Sequence, residues 1–304
     1  MLRMDTACYS SATMATAYLR AMRLHQWVKN LFVVAPLVFA KELFDPPRVL
    51  HAGLAFLLFG AVSSSVYILN DIVDVDADRQ HPIKRNRPIA SGAVSLTGAR
   101  SLCAFLALGG LVGGFLLSPR FLMAVGAYLL LNLAYSKGLK RIAYVDVLCI
   151  ATGFELRVLG GAAAAAVAPS PYLCVVTFLL ASFLGFGKRT HELAQGKHAQ
   201  KQRSALRWYN EAALNILLTT TALATLAVYA VYALDPATRA SFGTDYLILT
   251  LGFAAFGMLR FIHLIRAAAD SESPTEAMLR DWPFLANLAL WALSVVAVIY
   301  LGSA

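Results

Sequence analysis

Residues 70–88 read NDIVDVDADRQHPIKRNRP and follow an apolar run that ends at Leu69. At about 100° per residue, four side chains of a helix here share an arc of roughly 100°. They are Asn70, Asp71, Asp74 and Asp78, whereas Asp76 points the other way. Like charges at these spacings weaken a helix by a few tenths of a kcal/mol per pair, so the acidic face needs a counter-charge. The pattern therefore indicates a bound cation.

A divalent cation is the natural counter-charge for this acidic face. Mg²⁺ is usually held through one or two carboxylates, with water and phosphate oxygens completing its shell. Basic side chains follow at once: His81, Lys84, Arg85 and Arg87. Cations beside a metal suit the outer oxygens of a diphosphate. The alternative is a solvated charged loop, but the phasing of the acids favours a metal and phosphate site.

The composition is that of a membrane protein. Hydrophobic residues make up 59% of the chain and charged residues only 14%, and the mean hydropathy is +0.65. Apolar runs that could cross a hydrocarbon core of about 30 Å occur in nine places. They lie near residues 30–44, 50–69, 98–117, 120–135, 142–163, 170–187, 211–233, 246–266 and 284–302. We expect an all-α, polytopic membrane protein with nine transmembrane helices.

The basic residues responsible for the net charge of +9 are concentrated in the loops on one side of the predicted membrane spans. With nine spans, one side of the membrane carries 21 of the 26 Lys and Arg residues. This positive-inside pattern predicts a cytoplasmic N-terminus and acidic motif, and an outside C-terminus. Membrane topology and binding of anionic head groups or substrates therefore explain the basic residues, and we expect no nucleic-acid partner. We divide the chain into a mobile or interfacial arm, residues 1–22, and a single transmembrane domain, residues 23–304.

Further charged residues lie at the predicted cytoplasmic edge. Before the first span, Arg23, Gln26 and Lys29 either reach the mouth of a site or belong to an interfacial anchor. After the sixth span, Lys188 and Arg189 are candidates for phosphate binding. A solvated loop over anionic lipid explains the basic residues further along: Lys197, Lys201, Arg203 and Arg207.

The fifth span carries two charges on one face. Arg157 follows Asp146 by 11 residues, which places it about 20° away and about 16 Å deeper. A charge at this depth should face a polar cavity or a partner, and an internal ion pair between the two is the alternative. The small residues GGAAAAAVA that follow predict close helix packing. The four cysteines, at positions 8, 103, 149 and 174, are scattered singly and predict no disulfide or zinc framework.

The motif NDxxDxxxDxxHPxKxxRPIASG resembles the UbiA superfamily of intramembrane prenyl-transferring enzymes. Within it, three other stretches resemble the decaprenyl-phosphate phosphoribosyltransferase subfamily: RLHQWVKNLFVVAPLVFA, YSKGLKRIAYVDVLCIATGFELRVLGG and GKRTHEL. The resemblance covers about residues 18–300. It implies a nine-helix bundle in the inner membrane around a cytoplasm-facing, Mg²⁺-bearing cavity. It also implies 5-phosphoribosyl 1-diphosphate as donor and a polyprenyl phosphate as acceptor.

For such a reaction, the charges of individual residues suggest their roles. The metal ligands would be Asn70, Asp71, Asp74 and Asp78, and Asp146 would join the three aspartates as a catalytic residue. The substrate-binding residues would be Lys29, Asn70, Lys84, Arg87, Tyr135, Lys140, Arg157, Lys188 and Arg189. One departure matters: prenyltransferases of the superfamily carry a second DxxxD motif, but Ile150 stands four residues after Asp146. A second phosphorylated substrate held by basic residues is therefore better supported than an allylic diphosphate between two acidic clusters.

Two other functions stay open from sequence alone. One is a prenyltransferase that moves a polyprenyl group onto an aromatic or quinone-precursor acceptor. The other is a non-catalytic transporter or lipid-binding scaffold, because intramembrane acids also occur in transport pathways. The sequence also leaves open a homo-oligomer.

Overall fold

Helices make up every regular element of the described chain. The structure is a computed structural model, and it describes residues 11–194, 204–267 and 274–302, ranges in which no strand occurs. The helices are α1 (Ser11–Ala21), α2 (Leu31–Phe39), α3 (Pro46–Val73), α4 (Val75–Gln80), α5 (Leu96–Leu117), α6 (Pro119–Lys137), α7 (Val145–Ala164), α8 (Pro171–Ala194), α9 (Glu211–Leu234), α10 (Pro236–Phe242), α11 (Leu251–Ala267), α12 (Pro274–Arg280) and α13 (Trp282–Leu301). Short 3₁₀ helices cover Leu24–Asn30, Lys84–Asn86, Leu139–Arg141, Ser204–Trp208 and Tyr246–Thr250. The all-α prediction is confirmed.

Seven helical segments in the described ranges are long and apolar enough to cross a membrane. They are α3, α5, α7, α8, α9, α11 with its preceding 3₁₀ turn, and α13. The chain is therefore a multi-pass membrane protein. The other two predicted spans correspond to α2 and α6. The nine-residue α2 is short because a 3₁₀ helix precedes it and Lys41, at φ 62°, takes a left-handed conformation just after it.

Side-chain caps fix where several helices begin. Asp45 caps α3, where its carboxylate accepts a hydrogen bond from the backbone N–H of Arg48 at 3.2 Å. Ser95 caps α5, where its hydroxyl oxygen accepts a hydrogen bond from the backbone N–H of Gly98 at 3.1 Å. These caps satisfy backbone donors that the first helical turn leaves without partners.

The predicted close packing of the small-residue segment is confirmed at Gly161. A Cβ atom there would lie 1.8 Å from the carbonyl oxygen of Val33, so α2 and α7 approach more closely than any larger residue would allow. Val33 and Leu37 are buried as a result. The short α2 is thus held inside the bundle next to the deep half of α7, where Arg157 lies.

The loops that carry the basic residues meet at one end of the bundle. The turn after α6 contacts the acidic segment through Lys140 and Asp74, and the start of α7 contacts Tyr209 of the loop before α9. The described half of the N-terminal arm is α1, and its Ala21 packs with Ile68 and other residues of this end. Residues 1–10, Cys8 among them, and the loop with Lys197, Lys201 and Arg203 lie outside the described residues. The three described cysteines are free.

Candidate active site

The acidic motif begins on the last turn of α3 and continues into α4. Asp71 and Asp78 are buried, with 5% and 4% of their surface exposed. Asp76 projects away from them, and 87% of its side chain is exposed. The helix breaks at Asp74, the residue between α3 and α4. The predicted face is therefore real for Asp71 and Asp78, and Asp76 lies outside it.

The two buried carboxylates converge on one cation. Arg87 donates from Nη1 to Asp71 Oδ1 at 3.2 Å and to Asp78 Oδ2 at 2.7 Å. Arg23 donates from Nη2 to the same oxygen of Asp71 at 2.5 Å. Two guanidinium groups, each about a quarter exposed, thus balance two carboxylates. Arg23 is therefore at the mouth of the site, as one of the two sequence interpretations expected.

The side chains of Asn70 and Asp74 contact the end of α6 and the turn that follows it, and not Arg87. The side-chain oxygen of Asn70 accepts a hydrogen bond from Ser136 Oγ of α6 at 2.6 Å. Asp74 Oδ1 lies 3.9 Å from Lys140 Nζ, in the 3₁₀ turn that follows α6. The four residues expected to surround one metal are therefore arranged as two pairs. No group of three or more His, Cys, Asp or Glu side chains within the described ranges is clustered for metal binding.

The site nevertheless fits a magnesium ion. Arg87 Nη1 marks a point within hydrogen-bond reach of both Asp71 and Asp78, so the two carboxylates already share one positive charge. Mg²⁺ in proteins is commonly bound through one or two carboxylates together with substrate phosphates. Asp71 and Asp78 are therefore the residues that could hold the ion, and Arg87 and Arg23 are the cations that it would displace.

Asp146 belongs to a separate and fully buried cluster. Its Oδ2 lies 2.9 Å from Arg189 Nε, and neither side chain has any exposed surface. Its Oδ1 accepts a hydrogen bond from the Tyr209 hydroxyl, and Arg189 also pairs with Glu192. Burial and then the hydrogen bond to Asp146 raise the pKa of Tyr209. These contacts place Asp146 and Arg189 in an internal ion pair that substrate cannot reach in this conformation.

The partner of Asp146 differs from the one considered from sequence. The ion pair forms with Arg189 of α8 and not with Arg157 of its own helix. Tyr209 was not identified from sequence, because a tyrosine at the end of a basic loop carries no signal of its partner. Its hydroxyl also accepts from the backbone N–H of Tyr144 at 2.8 Å. Tyr144 has φ 67° and ψ −42°, a strained conformation that this hydrogen bond helps to hold.

The remaining predicted residues surround these two clusters. Lys84 is half-buried just before Arg87, and none of the hydrogen bonds or ion pairs within the described ranges involves its ammonium. Lys188 is 41% exposed and lies 4.0 Å from Glu192 Oε1. Tyr135, on α6, is close enough to Arg189 for the two groups to interact electrostatically. Arg157 is buried on α7, and Lys29, in the 3₁₀ helix before α2, is half-buried near it.

Comparisons with known proteins agree with this architecture. The family model of the UbiA prenyltransferase family matches residues 31–288. A decaprenyl-phosphate phosphoribosyltransferase of Mycolicibacterium smegmatis is 33% identical over 301 residues, which cover 94% of this chain and 93% of that protein. One of Corynebacterium glutamicum is 29% identical over 95% of this chain and 88% of its own length.

Solved structures show the same fold. The structure of a UbiA homolog from Archaeoglobus fulgidus bound to GPP and Mg²⁺ aligns with a TM-score of 0.70 and 19% identity, and the alignment covers 93% of this chain and 99% of that one. The family match spans most of the chain, and the curated relatives align over nearly their full length. The chain is thus an enzyme, a transferase that belongs to the UbiA prenyltransferase family.

Proposed function

We propose that this enzyme transfers the 5-phosphoribosyl group from 5-phosphoribosyl 1-diphosphate to a polyprenyl phosphate, with release of diphosphate. The substrates come from the full-length likeness to decaprenyl-phosphate phosphoribosyltransferases. The observation that carries the proposal is the convergence of Asp71 and Asp78 on a single cation at the end of a membrane helix. A metal-bound diphosphate is the ligand that suits this charge arrangement.

The chain's own residues would act mainly on the diphosphate. When Mg²⁺ is bound, it neutralises charge on the diphosphate and so favours its departure. Asp71 and Asp78 would hold the ion, and Asn70 and Asp74, tied to the α6 end, would orient the segment around it. Arg87 and Arg23, released from the carboxylates, would then be available to bind diphosphate oxygens bidentately. Lys84 adds a further positive charge at the mouth.

The acceptor requires no nucleophilic side chain from the protein. A phosphate oxygen of the polyprenyl phosphate attacks C1 of the ribose, and the bond from C1 to the diphosphate breaks. The new bond joins that oxygen to C1, and the electron pair leaves with the diphosphate. We propose that Asp146 and Arg189 hold the loop that contains Tyr209 against the start of α7, because both side chains are fully buried and paired with each other.

A prenyl diphosphate donor is the second candidate. The Archaeoglobus homolog of the same fold was solved with GPP and Mg²⁺. A digeranylgeranylglyceryl phosphate synthase of Sulfurisphaera tokodaii is also 33% identical, although over only 44% of this chain. The weakness of this candidate is the second carboxylate position. Asp146 is fully buried and Ile150 stands where a second acid would be needed.

We also propose the orientation that the basic residues favour. The N-terminus and the acidic site face the cytoplasm, nine segments including α2 and α6 cross or enter the inner membrane, and the cavity opens to the cytoplasm. A reporter fused after Ala304 should then lie outside, and one inserted between residues 195 and 203 should lie inside. Cytoplasmic signals from both positions would overturn this topology.

A transfer assay tests the reaction itself. Purified enzyme would receive phosphoribosyl diphosphate labelled in the ribose, a polyprenyl phosphate and Mg²⁺, and the lipid fraction would be counted. We expect label in the lipid only when both substrates and the metal are present. A parallel reaction supplies geranyl diphosphate with an aromatic acceptor. Product in that reaction alone would contradict phosphoribosyl transfer and favour the second candidate.

A further inference from the structure

Arg157 is a buried cation without a buried anion. Only 4% of its surface is exposed, and it lies deep on a membrane helix. Its guanidinium donates to the side-chain oxygen of Asn30 at 2.9 Å, to the carbonyl of Gly153 at 2.8 Å, and to the hydroxyls of Tyr128 at 3.1 Å and Ser63 at 3.3 Å. All four partners are neutral, and no carboxylate among the described residues pairs with it. The positive charge is solvated but not neutralised.

A second cation lies next to it. Lys29 is half-buried and keeps some accessible surface. Its ammonium makes no hydrogen bond or ion pair with any part of the chain that the structure describes. Burial and then the charge of Arg157 lower the pKa of Lys29 to about 8. Two cations without an acid therefore repel each other in one place.

Asn30 adds an independent sign of a missing ligand. It is 1% exposed, and its side-chain oxygen accepts the hydrogen bond from Arg157 Nε, which fixes the orientation of the amide. The Nδ2 atom on the other arm is buried without any acceptor in the described ranges. Buried polar groups are nearly always hydrogen-bonded, so a buried amide N–H₂ without an acceptor needs an explanation.

The three groups share one chemical demand. A guanidinium, an ammonium and an amide N–H₂ are all donors, and together they carry two positive charges. A metal ion would be repelled, whereas a phosphate monoester supplies up to two negative charges and three acceptor oxygens. These donors also lie near the acidic site, because Arg23 both contacts Asp71 and lowers the pKa of Lys29.

We propose that Lys29, Asn30 and Arg157 form a metal-independent binding site for a phosphate monoester, separate from the Mg²⁺ site at Asp71 and Asp78. This inference deepens the proposed function and rests on it for the source of the phosphate. That source is either the phosphate of the lipid acceptor or the 5-phosphate of the donor. The aromatic wall around Arg157, formed by Phe59, Tyr128 and Phe154, favours the lipid.

Binding of small phosphate monoesters in EDTA tests the site without turnover. The probes are farnesyl phosphate and ribose 5-phosphate, with farnesol as the uncharged control, titrated calorimetrically into the full chain in detergent. We expect a phosphate-dependent signal that survives the chelator. Lys29→Gln should weaken it about tenfold or more, because a charge-assisted contact is lost. Lys137→Gln, which changes an exposed lysine at the same end, should leave the affinity unchanged.

A second variant separates binding from folding. Asn30→Asp places a carboxylate beside Arg157, so it should raise the unfolding temperature of the free enzyme and abolish phosphate binding. The proposal would be contradicted if both Asn30→Asp and Lys29→Gln lost stability as well as phosphate binding. It would also be contradicted if both variants bound farnesyl phosphate and ribose 5-phosphate as tightly as the wild type. If the variants weaken the binding of only one of the two probes, that probe identifies the source of the phosphate: the lipid for farnesyl phosphate, the donor for ribose 5-phosphate.

The outcome is independent of the transfer assay. If labelled ribose never reaches the lipid but farnesyl phosphate binds in EDTA with the predicted dependence on Lys29 and Asn30, phosphoribosyl transfer is wrong and the anion site stands. If transfer occurs but neither monoester binds without metal, the anion site is wrong and the proposed function stands.

Discussion

Two clusters of carboxylates and guanidinium groups lie at the same end of the bundle and differ in their access to water. At the end of α3, Arg87 is 29% exposed and its Nη1 atom is shared between Asp71 and Asp78. At the start of α7, Asp146 and Arg189 are completely buried, and the two oxygens of Asp146 have separate partners. The residue types are the same, but only the first cluster can exchange its cation for another.

The difference separates a binding site from a structural ion pair. A buried pair loses about 3–5 kcal/mol when one member is removed, because the other charge is then left uncompensated in a dry environment. A partly exposed arginine that bridges two acids, such as Arg87, can be replaced by a metal ion, and its own charge is then available to the ligand. We therefore propose that the reaction takes place at the first cluster and that the second cluster supports the loop before α9.

The largest expected effect is on stability and comes from the second cluster. Asp146→Asn should lower the free energy of unfolding by about 3 kcal/mol, because Arg189 loses its fully buried partner and keeps only Glu192. Chemical or thermal unfolding in detergent would measure this. Asp76→Asn, at a side chain that is 87% exposed, should change stability by less than about 0.5 kcal/mol. An Asp146→Asn enzyme that is normally stable but inactive would show that Asp146 takes part in the reaction.

The next effect is on turnover and comes from the first cluster. Asp78→Asn keeps the side-chain volume but removes one of the two charges that share a cation. We expect the transfer rate to fall by more than about 100-fold, since even outer partners of metal ligands are worth 10- to 100-fold. The unfolding temperature should change little. Equal losses of activity in Asp78→Asn and Asp76→Asn would remove the distinction between the two acids.

A smaller effect, on the KM for the donor, should distinguish Lys84 from Lys188. Lys84 has no ion pair in the described part of the chain, so Lys84→Ala should raise the KM for phosphoribosyl diphosphate by roughly 10- to 150-fold. Lys188 lies 4.0 Å from Glu192 and is 41% exposed, so Lys188→Ala should cost about 1 kcal/mol at most. Steady-state kinetics with each substrate varied in turn would show it. An equal, modest effect in both would indicate a diffuse basic patch.

The smallest effect per step measured, at most about 1.4 kcal/mol per pH unit, is a dependence of stability on pH from Lys29. Its pKa in the folded enzyme is lowered from 10.5 to about 8. Between these values the unfolded chain binds a proton that the folded chain lacks, so stability should rise with pH across this window. Lys29→Gln should flatten the rise. Unfolding measured between pH 7.5 and 10, within about half a unit of each pKa, would test it; identical slopes in both proteins would refute the assignment.

Features set by local periodicity could be predicted from the sequence. The helical phase placed Asp71 and Asp78 on one face with Asp76 off it, and the small residues near Gly161 predicted a close helix contact. Features set by distant neighbours could not. Asp146 pairs with Arg189 and Tyr209, and Asp71 with Arg23, across long stretches of chain. The turn of Asp74 toward Lys140 depends equally on where the loop after α6 lies.

The short first span was also beyond the sequence pattern. Hydropathy predicted a membrane segment near residues 30–44, but α2 contains only nine residues and follows a 3₁₀ helix. A positive φ angle at Arg23 precedes the 3₁₀ helix and one at Lys41 follows α2, and neither residue type signals such a conformation. This break lets Arg23 reach Asp71 while Lys29 and Asn30 stay beside Arg157.

The most direct test of the account is metal-dependent donor binding in variants of the two clusters. Calorimetric titration of phosphoribosyl diphosphate, with Mg²⁺ and with EDTA, would be carried out on wild type, Asp78→Asn and the folded fraction of Asp146→Asn. We predict Mg²⁺-dependent affinity in wild type, its loss in Asp78→Asn, and its retention in Asp146→Asn. Binding that is equally strong in EDTA, or equally weak in both variants, would contradict the claim that the acidic cluster at the end of α3 holds the metal-bound donor.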